Sequence, residues 1–158
     1  MKHLISRQQQ IGSVTAARTQ NSINMTIHTR LQTYVDTLNG LSDNQDKFLW
    51  IMDFGKKSKE LNESLKLKEF EVPGCQSQTW LVPGYHDDKL YFHADSAALI
   101  SKGMVCIIAD VYSGSRAQEI NDFDQDEFEK LNLKTLLTPG RNTGVHGMLK
   151  KIKKYARV

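Results

Sequence analysis

The chain has 158 residues, 39% of them hydrophobic and 25% charged, a length and composition that suit one globular domain and exclude a wholly disordered chain. Two cysteines, Cys75 and Cys106, exclude both a disulfide framework of the secreted kind and a four-cysteine metal site. The net charge of +3 is unevenly spread: residues 1–35 hold Lys2, Arg7, Arg18 and Arg30 and no acid, while the remainder is close to neutral and carries no field suited to a nucleic-acid backbone.

No apolar run reaches the ~18 residues of a membrane span; the longest, Met104 to Ala109, is far shorter. The pattern points to a soluble protein of a reducing compartment, with neither membrane nor nucleic acid as partner.

Residues 1–24 read as a disordered extension. They are rich in Gln, Ser, Thr and Asn and lack aromatics, so they offer too little apolar surface to offset ordering entropy. Arg and Ser without acids also fit an organellar transit peptide. A start at Met25 is the third reading. A secretory signal is excluded, because no apolar core follows the first charges. The domain proper is expected over residues 25–158.

Leu31, Tyr34, Val35 and Leu38 recur at helical spacing, with Gly40 as the closing residue. Ser42 with Gln45 suggests a capping box for a second helix, whose face is Phe48, Ile51, Met52 and Gly55. Residues 56–71 are charged and weakly periodic, and read as a connector with a short helical piece. Pro73-Gly74 suits a type II turn, with Cys75 as its fourth residue. Gln78 to Val82, stopped by Pro83-Gly84, and Lys89 to His93 read as a hairpin closed around His86, Asp87 and Asp88.

Helices then return. Asp95 or Ser96 is expected to cap an apolar helix ending at Tyr112. Ser115 with Gln118, and Asp124 with Glu127, suggest two further capped helices. Thr138-Pro139-Gly140 reads as a break before a last helix bearing Val145, Met148, Leu149, Ile152 and Tyr155. Lys150, Lys151, Lys153, Lys154 and Arg157 complement the dipole at its end and solvate a face. Segregated strands and helices make the fold class α+β: N-terminal helices, a small antiparallel sheet carrying the cysteine loop, then C-terminal helices.

Chemistry concentrates at Cys75. It follows a glycine that lets the backbone approach closely, and Gln76, Ser77 and Gln78 after it are unusual company for a core thiol. A reactive thiol and an inert loop cysteine both fit. Cys106, between Val105 and Ile107, reads as core. His86, His93 and His146 are available as bases for a Cys–His hydrolase, but none lies in a signature; His86 and His93 read as surface residues, and His146 could face either way. No second ligand stands at metal-binding spacing from Cys75, so no metal is expected. Arg141, between Gly140 and Gly144 at a helix start, makes an anion-friendly spot that would depress a nearby thiol's pKa.

The body resembles the SufE family of sulfur acceptors. The resemblance rests on Lys47 to Lys56, which resembles the family's helix ending in a Leu-Gly-Lys type sequence. It rests on Gly74-Cys75-Gln76-Ser77-Gln78 with Trp80-Leu81 beyond, on Asp95-Ser96 with Lys102-Gly103, and on Thr138-Pro139, Arg141 and Gly144. Gly140 and Ala94 depart from the residues common in the family. The resemblance spans about residues 28–155.

It implies that Cys75 takes persulfide sulfur from a cysteine desulfurase of the SufS or CsdA kind, stimulates that enzyme, and passes the sulfur to an iron–sulfur assembly scaffold. Gly74, Gln76, Ser77 and Gln78 would support the loop. Arg141 would lie beside it, either lowering the thiol pKa or pairing with an acid of the partner. Pyridoxal phosphate would sit on the desulfurase, and no cofactor on this chain. A bacterial cytoplasmic setting follows, or an organellar one if residues 1–24 are a transit peptide; a homodimer stays open. The rival class, an iron–sulfur scaffold, needs about three thiolates or equivalent ligands, more than this chain supplies.

Overall fold

The computed structural model describes residues 26–157. The expectations for residues 1–24 and for a start at Met25 lie outside the described residues.

Helix α1 (Ile27–Asn39) is capped by Thr26, whose hydroxyl accepts from Thr29 N at 3.1 Å. Ile27, Leu31, Val35 and Leu38 form its buried face. Buried among them, Arg30 donates from Nε to Val111 O and from Nη2 to Ser115 Oγ, both at 2.7 Å. Gly40 closes the helix as expected, but with φ −79° rather than in the left-handed region.

Helix α2 (Asn44–Lys57) starts one residue later than its sequence suggests: Asp43, not Ser42, accepts from the backbone, taking Asp46 N at 2.8 Å. Ser42 donates instead to the Asp46 carboxylate. Ile51 and Gly55 form the buried positions of α2. Residues 58–71 contain two single 3₁₀ turns, Glu63–Leu65 and Lys68–Phe70. Their Leu61, Leu65 and Phe70 pack with Trp80 and Val82 as a second, smaller core.

The sheet is one hairpin, β1 (Thr79–His86) antiparallel to β2 (Lys89–Ser96). Asp87 and Asp88 form its two-residue turn with φ of 51° and 63°, the geometry of a type I′ turn. Pro83-Gly84 does not stop β1. Pro83 faces Phe92, and Phe92 N donates to Ser113 Oγ at 2.9 Å instead of across the ladder. The pair is therefore a non-hydrogen-bonded one, and the N–H that proline lacks is not missed.

β2 also runs further than expected, because Asp95 is not a helix cap. Buried at 3% exposure, its carboxylate accepts from Leu61 N at 2.9 Å and Ser96 N at 2.8 Å, with Lys102 Nζ 3.5 Å away. Helix α3 (Leu99–Tyr112) begins after Ala98, with no side-chain cap, and 11 of its 14 residues are buried. It is the central helix. Glycine at position 103 lets α2 come close: a Cβ there would lie 2.1 Å from Ile51 O.

Helix α4 (Ala117–Asp122) is capped from Arg116, whose N–H donates to Glu119 at 2.9 Å. Ser115, the expected cap, is engaged by Arg30. Asp124 does cap the next segment, accepting from Asp126 N, but that segment is a 3₁₀ helix, Gln125–Leu131.

Thr138-Pro139-Gly140 is not a break either. Thr138 caps helix α5 (Pro139–Ala156), Pro139 is its first residue and Gly140 lies within it, where proline's fixed φ and missing N–H cost nothing. In the basic run, Lys153 donates to the carbonyls of Ile120, Asn121 and Phe123. It thus complements the C-terminal end of α4, a neighbouring helix, as well as its own. Lys151 donates to Glu69 O. The fold is α+β: helices at both ends around one hairpin.

Candidate functional site

The chain between Val72 and β1 is held at both ends and turns sharply between. Val72 N donates to Thr79 O at 2.8 Å. Gly74 has φ +84°, a conformation in which any other residue here would be strained. Cys75 follows at the tip.

The loop lies against the first half of α5. The Cys75 thiol donates to Gly144 O at 3.8 Å, a long, weak contact. Thr138, the cap of α5, accepts from Arg141 N on its hydroxyl at 3.2 Å, and that hydroxyl donates to Gln76 Oε1 at 3.4 Å. Arg141 Nη1 donates to Ser77 Oγ at 2.9 Å and to Ser101 Oγ at 2.6 Å. One guanidinium nitrogen thereby joins the cysteine loop, α3 and the start of α5. Gln78 O accepts from Ala97 N and Ser96 Oγ, both at 2.9 Å, which fastens the far end of the loop to the end of β2.

Beneath the thiol is a cavity of about 10 Å³, close to the least space that holds one water. Its walls include Ile100, Met104, Leu137, Val145 and Met148. No His, Asp or Glu lines it, so it contains no general base of the kind a Cys–His hydrolase needs.

Burial pushes the Cys75 thiol up from its ordinary value; a hydrogen bond with Thr79 and the charge of Arg141 pull it back without cancelling that effect. The sequence expectation that Arg141 would depress the thiol holds for the contribution, not for the net. Desolvation of the thiolate is the larger effect.

Of the sequence-predicted residues, the fold brings Cys75, Gln76 and Arg141 to this cavity. Ser77 joins through Arg141. Gly74 shapes the turn, and Gln78 anchors the backbone. Sequence reasoning missed Ser101, a buried hydroxyl on apolar α3, and Thr79. A single polar residue in a helix face reads as incidental until its partner is seen.

The histidines lie elsewhere. His146 is exposed on α5. His93, read as a surface residue, is half-buried, its Nε2 enclosed and without a hydrogen-bond partner, and burial lowers its pKa. Cys106 packs against the core with its thiol donating to Ala94 O at 3.6 Å. Burial pushes that thiol up to about 12. Among the described residues, no three of His, Cys, Asp and Glu are placed to hold a metal ion, and no helix is long and apolar enough to cross a membrane.

Comparison with known proteins gives this geometry its context. The family model described as SufE, Fe-S metabolism associated domain, matches residues 32–156. The chain belongs to the SufE family.

An uncharacterised SufE-like protein of Rhizobium etli is 35% identical over 133 residues, covering 81% of this chain and 90% of the relative. A protein named cysteine desulfuration protein SufE, from Wigglesworthia glossinidia brevipalpis, is 36% identical over 115 residues, covering 72% of this chain and 80% of its own length. Among solved structures, a hypothetical protein from Thermus thermophilus matches with a TM-score of 0.66 at 14% identity, covering 81% of this chain and 93% of its own. That likeness is one of fold. The SufE domain of this chain therefore contains the whole Cys75 loop, the cavity and Arg141.

Proposed function

We propose that this SufE protein is a sulfur acceptor for a cysteine desulfurase, with Cys75 as the receiving thiol. The observation that carries the reading is the placement of Cys75 at the tip of a tight turn made by Gly74, over a small apolar cavity, with Arg141 bridging its loop to the helix behind.

The chemistry is a thiol exchange. The Cys75 thiolate attacks the outer sulfur of a persulfide on the desulfurase's own cysteine. The bond between that sulfur and the partner's cysteine breaks, its electron pair leaves with the partner's thiolate, and a new S–S bond forms on Cys75. Sulfur moves as a neutral atom and nothing is oxidised or reduced overall. Rate follows thiolate fraction, nucleophilicity and access.

Burial in the resting loop disfavours the thiolate, and movement of the loop away from the cavity would remove that penalty. Wall residues such as Met104 and Val145 shelter the sulfur from water and reductant. The partner's pyridoxal phosphate does the carbon–sulfur cleavage; this chain contributes the nucleophile and its protection. The sulfur then passes to an iron–sulfur scaffold in the cytoplasm, and uptake by Cys75 stimulates the desulfurase by clearing its cysteine.

Intact mass after incubation with a desulfurase, pyridoxal phosphate and free cysteine tests this. One added sulfur, mapped to Cys75, is expected. Iron retained on reconstitution without sulfur on Cys75 would favour a scaffold. Ester or amide turnover would favour a hydrolase.

A further inference from the structure

Three glycines of α5 lie directly against the cysteine loop. Gly140, Gly144 and Gly147 stand one and two turns apart on the helix, and each touches a different part of the loop. A Cβ at position 147 would lie 2.3 Å from the backbone oxygen of Pro73. At position 144 it would lie 3.1 Å from Cys75 Sγ and 3.4 Å from Cys75 Cα. At position 140 it would meet only the Gln76 side chain, with the amide nitrogen 2.2 Å away.

These contacts differ in what can give way. The Gln76 amide is the end of a flexible side chain and can swing aside. The Pro73 carbonyl cannot move alone, because it belongs to the peptide plane that leads into Gly74, and turning it changes the φ of +84° on which the turn depends. Displacing it moves the turn, and the turn carries Cys75. The Gly144 contact is milder but bears on the sulfur directly.

We infer that Gly144 and Gly147 are positioning residues for the acceptor reaction: their bare backbone is the seat of the cysteine loop, and its fit sets how often Cys75 is presented to a reagent or partner. The inference rests on Cys75 as the acceptor, but the seat itself is tested without any desulfurase. Backbone-to-backbone packing has a useful property here. A loop resting on glycines interlocks with few side chains, so it lifts off by releasing the Arg141 and Thr138 hydrogen bonds and need not unpack a core.

The test compares Gly144→Ala, Gly147→Ala and Gly140→Ala in the full-length protein. The readout is the rate at which iodoacetamide alkylates Cys75, resolved from Cys106 by peptide mapping, with melting temperature followed in parallel. Gly144 and Gly147 both lie in the helix interior, where alanine raises helix propensity alike, so a role confined to the helix would move melting alike in those two and leave alkylation alone. The expected result is Cys75 alkylation about fivefold faster in Gly147→Ala, equivalent to about 1 kcal/mol of lost seating. Smaller accelerations are expected in Gly144→Ala and, smallest of all, in Gly140→Ala, which disturbs only the Gln76 side chain and the hydrogen bond it accepts from Thr138.

Wild-type rates in both Gly144→Ala and Gly147→Ala would overturn the inference. So would equal acceleration in Gly140→Ala, which would make the effect one of the helix rather than of the seat. Should either Gly144→Ala or Gly147→Ala fail to melt cooperatively, the other decides. Sulfur uptake by the wild type is a separate measurement: its failure would sink the acceptor reading and leave the seat standing.

Discussion

The two cysteines sit in opposite kinds of surroundings, and the contrast shows how one fold makes one thiol available and the other inert. Cys106 is part of α3, the central helix, with its thiol against the Ala94 carbonyl and its pKa pushed up to about 12. It is partly exposed, as Cys75 is, but it is carried by a packed helix and not by a loop. Cys75 is also sheltered at rest, but by a turn that rests on another helix through one weak thiol contact and a few polar ones. Its shelter depends on the local contacts of that turn. Local opening of that kind is low in free energy compared with global unfolding.

The sharpest way to break the comparison is to exchange the thiols for hydroxyls. Cys75→Ser should abolish sulfur uptake and all stimulation of a desulfurase while the melting temperature stays close to wild type. Cys106→Ser should retain transfer and cost about 1–3 kcal/mol of stability, because it buries a more polar group. Sulfur found on Cys106, with Cys75→Ser fully active, would end the assignment.

A second test damages the packed region and asks whether the loop notices. Asp95→Ala leaves Lys102, 6% exposed, without its nearest carboxylate, and takes the acceptor away from Leu61 N. Losing one member of a buried pair costs about 3–5 kcal/mol. Chemical denaturation should show that loss, whereas native-state alkylation of Cys75 should stay at the wild-type rate. A faster rate would mean the loop and the core open together.

The same division explains what the sequence made legible. The helices of the core were readable because their apolar spacing survives without any partner: Leu31, Val35 and Leu38, or Ile152 and Met148, mark buried faces by themselves. The cysteine setting was readable because glycine before a thiol and polar residues after it are locally odd. What could not be read were features decided by distant partners. Pro83 looked like a stop because the side of the ladder its nitrogen faces is a tertiary fact. Asp95 looked like a cap until Leu61 N and Lys102 were seen to claim it. Ser101 gave no signal, since only the fold brings Arg141 to it. His93 looked superficial because alternation in a short strand does not say which face a connector will cover.

Raising the pH separates the thiols further. For both, the folded pKa lies above the ordinary value near 9, so the folded state binds protons that the unfolded chain has given up. The associated stability is present below the ordinary value and declines as pH rises toward the folded pKa. Melting temperature should therefore fall above pH 9, and Cys106→Ser should fall less steeply than wild type. Native Cys75 should alkylate with a midpoint above that of a free thiol, and Cys106, pushed up to about 12, with a midpoint higher still. A Cys75 midpoint below that of a free thiol would mean that Arg141 outweighs burial.

The smallest expected effect belongs to Arg141, and it discriminates most finely. Arg141 does two things at once. Its charge favours the Cys75 thiolate, though less than burial opposes it. Its Nη1 also ties Ser77 to Ser101. Arg141→Ala removes both, and they act on alkylation in opposite directions: losing the charge slows it near neutral pH, and losing the tie exposes the thiol. The pH profile pulls them apart. Above the midpoint every accessible thiol is already thiolate, so the plateau reports access alone. The midpoint reports the charge, offset by whatever burial the thiol loses. Arg141→Ala should move the midpoint upward and raise the plateau by a few-fold. A moved midpoint with an unchanged plateau would assign Arg141 to electrostatics only, and a raised plateau with a fixed midpoint would assign it to holding the loop. If neither changes while affinity for a desulfurase falls, more so at low salt, Arg141 faces the partner and acts through charge steering. With all three at wild-type values, Arg141 would be no more than the first turn of α5.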